Sequence, residues 1–362
     1  MAPTQNLQQT PDASINEPSE DDNALFADLH EDLFEGDLTP NQATTATKIT
    51  QQAIVPDEMI GLRFDQAAAS LFAEFSRERL KGWMQDGQLT INGQTLKPKN
   101  RCLGGEVLNL DVTLQDQNTT EPEAMMLDIV YEDDDILVVN KSVGLVVHPG
   151  AGNWSGTLVN GLLYHDAKLK ELPRAGLVHR IDKDTSGLLV VAKNLAAQHH
   201  LSKQLAEKSV YRIYDAMVVG HVIAGGTIDQ PIKRHPVERT RMSVQPGGRA
   251  SVTHYRVLER FGSHTLVQAQ LETGRTHQIR VHLSHVGFPL VGDPVYGTRR
   301  RLPQGASQNL VKTLQNFKRQ ALHARKLGLV HPGTGKNMQF EAPWPEDFSQ
   351  LVKALRDEGA DD

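Results

Sequence analysis

At 362 residues, with 39% hydrophobic and 23% charged residues, the chain is long enough for two packed domains and has the composition of an ordinary soluble protein. Its single cysteine, Cys102, excludes a disulfide framework and a cysteine-rich zinc site and suits a reducing compartment. The net charge of −6 argues against a nucleic-acid partner until it is divided: residues 1–50 hold ten acids and one lysine, which leaves the remainder at +3.

Residues 1–54 are polar and acidic, with Pro3, Pro11, Pro18 and Pro40 scattered through them, and are expected to stay disordered because they cannot bury enough apolar surface to offset ordering entropy. Inside this tail Leu25, Leu29 and Leu33 recur at i, i+4 and i+8 beside Phe26 and Phe34. Residues 24–38 therefore read as a short helix that docks on a protein partner, or equally as a fluctuating acidic segment. No apolar run approaches 18 residues and no basic-then-apolar start is present, so the expectation is a cytoplasmic protein, and a monomer.

Residues 55–112 form a small module. Ala67, Ala68, Leu71 and Phe72 mark one amphipathic helix; Ser76 is the expected cap of a second that carries Leu80, Trp83 and Met84. Gly87 ends it, and Leu89 to Ile91 is a strand entering an Asn92-Gly93 turn. Arg77, Arg79 and Lys81 spread charge over the second helix, where they can meet phosphates. Residues 113–124, polar and containing Pro122, read as a linker.

Residues 125–356 read as a second and larger domain, with 357–362 as an acidic end. Residues 127–141 read as strand, acidic turn and strand, and His148 in the next loop reads as structural. Two apolar runs, Leu177-Val178 and Leu188 to Ala192, flank a charged loop containing His179, Arg180, Ile181 and Asp182, then Thr185, Ser186 and Gly187, which can close a turn through side-chain to backbone hydrogen bonds. By itself a His-Arg-x-Asp run also fits a charged hairpin tip. Residues 195–208 look helical. Period-two alternation in the strand beginning at Tyr211 places Tyr211 and Tyr214 on opposite faces, with Tyr211 expected in the core. Gly274 allows a tight turn before a helix starting near Thr276, holding Arg275 at the turn, with Arg280 and His282 on the helix as structural or substrate-facing residues. His282 and His285 lack a third ligand set for zinc. Residues 319–324 and 327–335 read as two strands with a turn, and Phe348, Leu351 and Leu355 as a final helix. Basic clusters at 233–260, including Lys233, Arg234 and Arg241, and at 297–326 suit a face that tracks phosphates.

The run from His179 to Gly187 resembles motif II of the RluA family of pseudouridine synthases, with Ile181 where the family has Leu, a volume-conserving exchange. The likeness extends over residues 61–355, implies that residues 125–356 are the catalytic domain, and points to the type that modifies large-subunit ribosomal RNA. Residues 61–112 resemble an S4 RNA-binding domain, with Gly105-Glu106 where Gly-Asp is usual. The resemblance implies an α+β fold, a mixed and largely antiparallel sheet with flanking helices and a cleft. It implies a cofactor-free and metal-free isomerisation of uridine to pseudouridine, with Asp182 as the catalytic carboxylate, Tyr214 as the active-site tyrosine and Arg275 as the arginine paired with Asp182. Arg77, Arg79, Lys81, Arg180, Lys233, Arg234 and Arg241 are the expected RNA contacts. The alternatives are an RNA-binding ribosome-assembly factor without catalysis, a family member acting on other rRNA or tRNA uridines, and a carboxylate-dependent glycosidase or nuclease, for which a second site carboxylate or a metal cluster is missing from the sequence.

Overall fold

The computed structural model describes residues 46–359 apart from 73–74, 76, 116–119, 151, 239 and 298–304. The acidic stretch 24–38 and the expected cap Ser76 lie outside the described residues. Two packed units form, one within residues 39–119 and one from residue 120 onward.

The small unit begins with a strand where a tail was expected. β1 (Ala46–Ile54) pairs antiparallel along β3 (Val107–Gln115), from Ala46 opposite Gln115 to Ile54 opposite Val107, and β2 (Leu89–Ile91) pairs on the other side of β3. The polar composition of β1 hid its period of two. Ile49 and Ala53 pack on the core, while Lys48 and Gln52 face outward and meet Asp111 and Asn109 at 3.1 and 2.7 Å. β3 likewise runs to Gln115, which shortens the expected linker. Helices α1 (Phe64–Leu71) and α2 (Arg77–Gln85) bury Phe64, Ala67, Ala68, Leu80 and Met84 against Leu89, Ile91, Leu108 and Leu110. Asn92 and Gly93 both take positive φ, 50° and 75°, as a two-residue hairpin of this hand requires. Asp65 is buried between Arg63 and Arg77, at 3.0 and 2.9 Å.

In the large unit nine strands form one sheet. Its order is β4 (Ile129–Glu132), β5 (Ile136–Lys141), β6 (Ser186–Ala192), β13 (Leu322–Val330), β7 (Tyr211–Val219), β12 (His264–Leu271), β11 (Val252–Phe261) and β8 (Gly226–Asp229), with β14 (Asn337–Glu341) along the far half of β13. Every pairing is antiparallel except β6 with β13. The two strands expected at 319–335 are rearranged: one bulged strand, β13, covers most of that range, and its partner starts after the turn, at Asn337. Gly187, at φ 112°, marks the β6–β13 seam, where a Cβ would stand 2.3 Å from the Ala324 carbonyl.

The central strands are buried on both faces, which is why they read as unbroken apolar runs. Leu137, Val139, Leu189 and Val191 join the core under α3 (Leu158–His165), together with Tyr214, Ala216 and Val267. The alternate residues Ile136, Val138, Leu188 and Val190 pack with Ala197, Leu201 and Leu205 of α4 (Leu195–Ala206). A third cluster lies between Met217 and Leu266 and the helices α6 (Gln308–Asn316) and α7 (Glu346–Gly359), centred on Phe348 and Leu351. The short helix α5 (Gln278–His285) follows β12. Among the described residues no helix is long and apolar enough to cross a membrane.

Candidate active site

The loop between Leu177 and β6 is tied down along its backbone. Thr185 N–H donates to the Asp182 carbonyl at 3.0 Å. The carbonyl of Lys183 accepts from Lys141 Nζ at 2.9 Å and from Gly144 N–H at 3.0 Å, and that of Asp184 from Arg319 Nη1 at 3.1 Å. The side chains expected to close the turn locally bond far along the chain: Thr185 Oγ1 accepts from Gln320, and Ser186 Oγ meets His323 Nδ1 at 2.9 Å. Lys141 is 2% exposed, and its ammonium donates to three carbonyls, those of Ser142, Leu145 and Lys183. Burial lowers it to about 7, with Asp182 and Asp184 opposing that shift. Three acceptors and no donor around the nitrogen favour the charged form.

This bracing presents Asp182 at a cleft of about 260 Å³, the scale of one nucleoside, walled by the loop, by Arg212 and Tyr214 of β7, and by residues 271–280. A guanidinium that meets Asp182 is that of Arg280, a residue not expected in this role: Arg280 Nη1 lies 2.9 Å from Asp182 Oδ2. Arg280 also grips Asp293 with a two-pronged contact, Nε to Oδ2 at 2.8 Å and Nη2 to Oδ1 at 3.0 Å. The Asp293 side chain is fully buried and accepts the Val295 and Tyr296 N–H groups at 2.8 and 3.0 Å. Despite their burial, the two carboxylates hold Arg280 more firmly protonated than usual, and Arg280 in turn keeps Asp293 below the usual carboxylate range. The Tyr296 ring lies 5.1 Å from the guanidinium, and its hydroxyl accepts Met242 N–H at 2.8 Å and meets His277 Nδ1 at 2.9 Å.

The turn before α5 also differs from expectation. Gly274 does not adopt positive φ; the left-handed residue is His277, at 56°. Gln278 organises the turn, its Oε1 accepting Arg275 N–H at 3.0 Å and Thr273 Oγ1 at 2.7 Å, its Nε2 donating to Val252 O and Thr253 Oγ1. Arg275 lines the cleft and directs Nε toward the Ala250 carbonyl at 3.4 Å, while Arg280, one helical turn farther in, is 4% exposed. A buried arginine on a helix reads as packing in sequence; here its burial is what fixes its aim at Asp182.

Tyr214 is 6% exposed, lines the cleft, and is pushed up to about 12, chiefly by burial, with Arg212 opposing and Asp182 reinforcing. Tyr211 is 43% exposed, a correction to its expected place in the core: as the first residue of β7 it lies beyond the helical cover. Of the expected RNA contacts only Arg180, which is exposed, lines this cleft. Arg77, Arg79 and Lys81 belong to the small unit, where Arg77 is engaged by Asp65 and the Arg79 guanidinium stands 5.5 Å from the Trp83 ring. Lys233 and Arg234 lie on β9 (Ile232–Arg234), paired with β10 (Met242–Val244), and Arg241 just before β10 bonds to Glu238. His282 spends both ring nitrogens, on Thr253 Oγ1 and the Gln230 carbonyl, each at 2.9 Å, and so has no nitrogen left for a metal. His148 is mostly covered and lowered to about 4 by burial and by Arg174 and Arg180. Residues that sequence reasoning passed over are Arg280, Asp293, Tyr296, Arg212 and Lys141. Arg280 stood inside a motif already singled out, whereas Asp293 gave no signal beyond its glycine-rich surroundings.

The profile of the RNA pseudouridylate synthase family matches residues 135–285. A Pseudomonas aeruginosa protein described as ribosomal large subunit pseudouridine synthase D is 55% identical over 308 residues, covering 85% of this chain and 96% of its own. Its namesake from Escherichia coli K12 is 49% identical over 312 residues, covering 86% and 96%. Among solved structures, human RNA pseudouridylate synthase domain containing 4 aligns at 29% identity and a TM-score of 0.49, covering 63% of this chain and 92% of its own.

Proposed function

From the premise that the chain belongs to the RNA pseudouridine synthase family, in its RluA branch, we propose that its substrate is a uridine in large-subunit ribosomal RNA and that Asp182, Arg280 and Tyr214 carry the isomerisation. The observation that carries the assignment of roles is the Asp182–Arg280 contact at a cleft of nucleoside size. Isomerisation moves the ribose bond from N1 to C5 of the same base, so no redox partner, water or group donor enters. The base must leave its stack to reach Asp182, at a cost of a few kcal/mol. Stacking on Tyr214, at ~1–3 kcal/mol per base, offsets much of it.

Asp182 acts as the nucleophile or proton acceptor, and Arg280 fixes its rotamer through their 2.9 Å contact. Arg280 is itself immobilised by Asp293, so the carboxylate is aimed by a rigid group. Tyr214, raised to about 12, is a neutral phenol at working pH. Its part is to stack on the uracil, and the C5 proton passes to Asp182 once that carboxylate is released. Exposed Arg180 at the cleft mouth meets phosphate or the space the base vacates, and the basic faces of both units supply sequence-independent contacts to the RNA backbone.

The test is pseudouridine mapping of large-subunit rRNA from a strain lacking this protein, complemented with wild type or Asp182→Asn. Wild type restores specific pseudouridines and Asp182→Asn does not. If the large-subunit profile is unchanged by the deletion while another RNA loses pseudouridine, the substrate assignment moves to that RNA.

A further inference from the structure

Asp182 has its cation, but the cleft contains a second buried cation with no carboxylate of its own. Arg212 is 6% exposed and lies on β7 two residues from Tyr214, on the same face of the strand. Its Nη2 donates to the Glu272 carbonyl at 3.2 Å, and its Nε is buried with no acceptor. Among the described residues only two acids line the cleft, and both are committed elsewhere. Asp182 pairs with Arg280, and the Glu272 carboxylate binds Lys208 at 2.8 Å and His254 at 2.7 Å. His179, which also lines the cleft, accepts Val190 N–H through Nε2 and is held neutral by burial and by Arg212 itself, so it offers no counter-charge. Space is reserved for the guanidinium: a Cβ on Gly274 would stand 2.8 Å from Nη1. A buried, unpaired cation costs several kcal/mol, and a fold that keeps one in a cleft is arranged for an anion that arrives there.

We propose that Arg212 is a catalytic residue that touches the uracil and stabilises the negative charge the base acquires when its bond to ribose breaks; the inference rests on the assignment of the cleft to an extruded uridine. As the C1′–N1 bond breaks, its electron pair passes to N1 and spreads over O2 and O4. C1′ is taken up by a new bond to the Asp182 carboxylate, or the 2′ proton moves to Asp182 as a C1′=C2′ double bond forms. In both routes the detached base is an anion. C5 then bonds to C1′, Asp182 departs or returns its proton to C2′, and the C5 proton ends on N1. The charge therefore exists only between the two bonds, and a fixed guanidinium donating to a uracil carbonyl lowers the barrier on either side of it. A phosphate is the less suitable anion: Arg212 lies deep beside the stacking tyrosine, whereas the exposed Arg180 is the cleft residue a backbone can reach.

The experiment uses the full chain, as wild type, Arg212→Met and Arg212→Lys, in single turnover on an rRNA fragment with uridine or 5-fluorouridine at the target position. Loss of the N-glycoside is followed after nuclease digestion. Fluorine at C5 acidifies the ring and stabilises the same anion, so it substitutes in part for the guanidinium. Arg212→Met is expected to slow uridine on the order of 10²–10³-fold. The deficit on 5-fluorouridine is expected to be at least tenfold smaller, with Arg212→Lys intermediate. RNA affinity stays within about threefold, and the thermal midpoint is unchanged or higher because an uncompensated charge has been removed. A uridine rate within about threefold of wild type, equal deficits on both bases, or a lower midpoint accompanied by equal loss on both would overturn the proposal. Wild type run alongside separates the two readings: an inactive wild type removes the assigned reaction and the inference together, while an active wild type with an unaffected Arg212→Met removes only Arg212.

Discussion

Each unit contains a three-membered charge cluster, and the two are inverted copies of one another. In the small unit one buried carboxylate, Asp65, is held by two half-exposed arginines, Arg63 and Arg77. In the large unit one buried guanidinium, Arg280, is held by two carboxylates, of which Asp293 is sealed and Asp182 remains 20% exposed. In the first, the buried member is the acceptor and the outer charges are solvated, so the cluster pins α1 to α2 and leaves little unspent. In the second, the buried member has one partner that never changes and one that faces the cleft. The same electrostatics thus yields a staple when both outer groups face water, and a reagent when one outer group faces a site.

The largest effect expected from breaking this contrast is at the cleft. Asp182→Asn should reduce single-turnover formation of pseudouridine on the order of 10³-fold or more while RNA binding in a filter assay is retained; substantial residual turnover would remove Asp182 from its role. Arg280→Met should cost both activity and stability, the latter by ~3–5 kcal/mol in urea unfolding because Asp293 is left buried and charged. Adding Asp293→Asn to Arg280→Met should recover most of that stability and none of the rate, which separates the fixed partner from the working one. In the small unit Asp65→Asn should cost only ~1 kcal/mol. Its pH dependence has a definite sign: burial raises the Asp65 carboxyl, but its hydrogen bonds to Arg77 and Arg63 outweigh that and leave it below 3.8 in the folded state, so its contribution is present above the unfolded value and fades as pH falls through the lowered one. A wild-type minus Asp65→Asn stability difference that grew on acidification would contradict this. The smallest effect is at Arg275. Arg275→Lys should change the rate by less than about threefold, since the ion pair with Asp182 belongs to Arg280, and a loss comparable to Arg280→Lys would reverse that assignment.

Much of the large unit was legible in sequence because its strands are buried on both faces and its loop residues are chemically distinctive. The strand at 136–141, most of the one at 186–192, which was expected to begin at Leu188, the helix expected at 195–208 and found at 195–206, and the cleft residues Asp182 and Tyr214 followed from pattern or resemblance. The misreadings share a cause: each concerned a residue whose surroundings are set by distant chain. β1 looked like tail because its apolar positions are few, and only the ladder with β3 makes it a strand. Arg275 and Arg280 are five residues apart with the same charge, and sequence does not say which one α5 carries inward. Arg212 was passed over as one residue of a strand, and nothing local shows that the acid beside the cleft, Glu272, is turned toward Lys208 and His254.

The position of β13 has a consequence for how the molecule comes into being. Residues 322–330 insert between β6 and β7, both made more than a hundred residues earlier, and Arg319 and Gln320 just before them hold the loop of Asp182. During synthesis those two strands emerge with their facing edges bare and the loop of the reactive carboxylate short of two of its ties, and neither defect is repaired until residues 319–330 have left the ribosome. A nascent chain truncated before residue 319 therefore has Asp182, Arg280 and Tyr214 but lacks the ties of Arg319 and Gln320 and the cleft wall at Leu322, so full bracing arrives in a single late step.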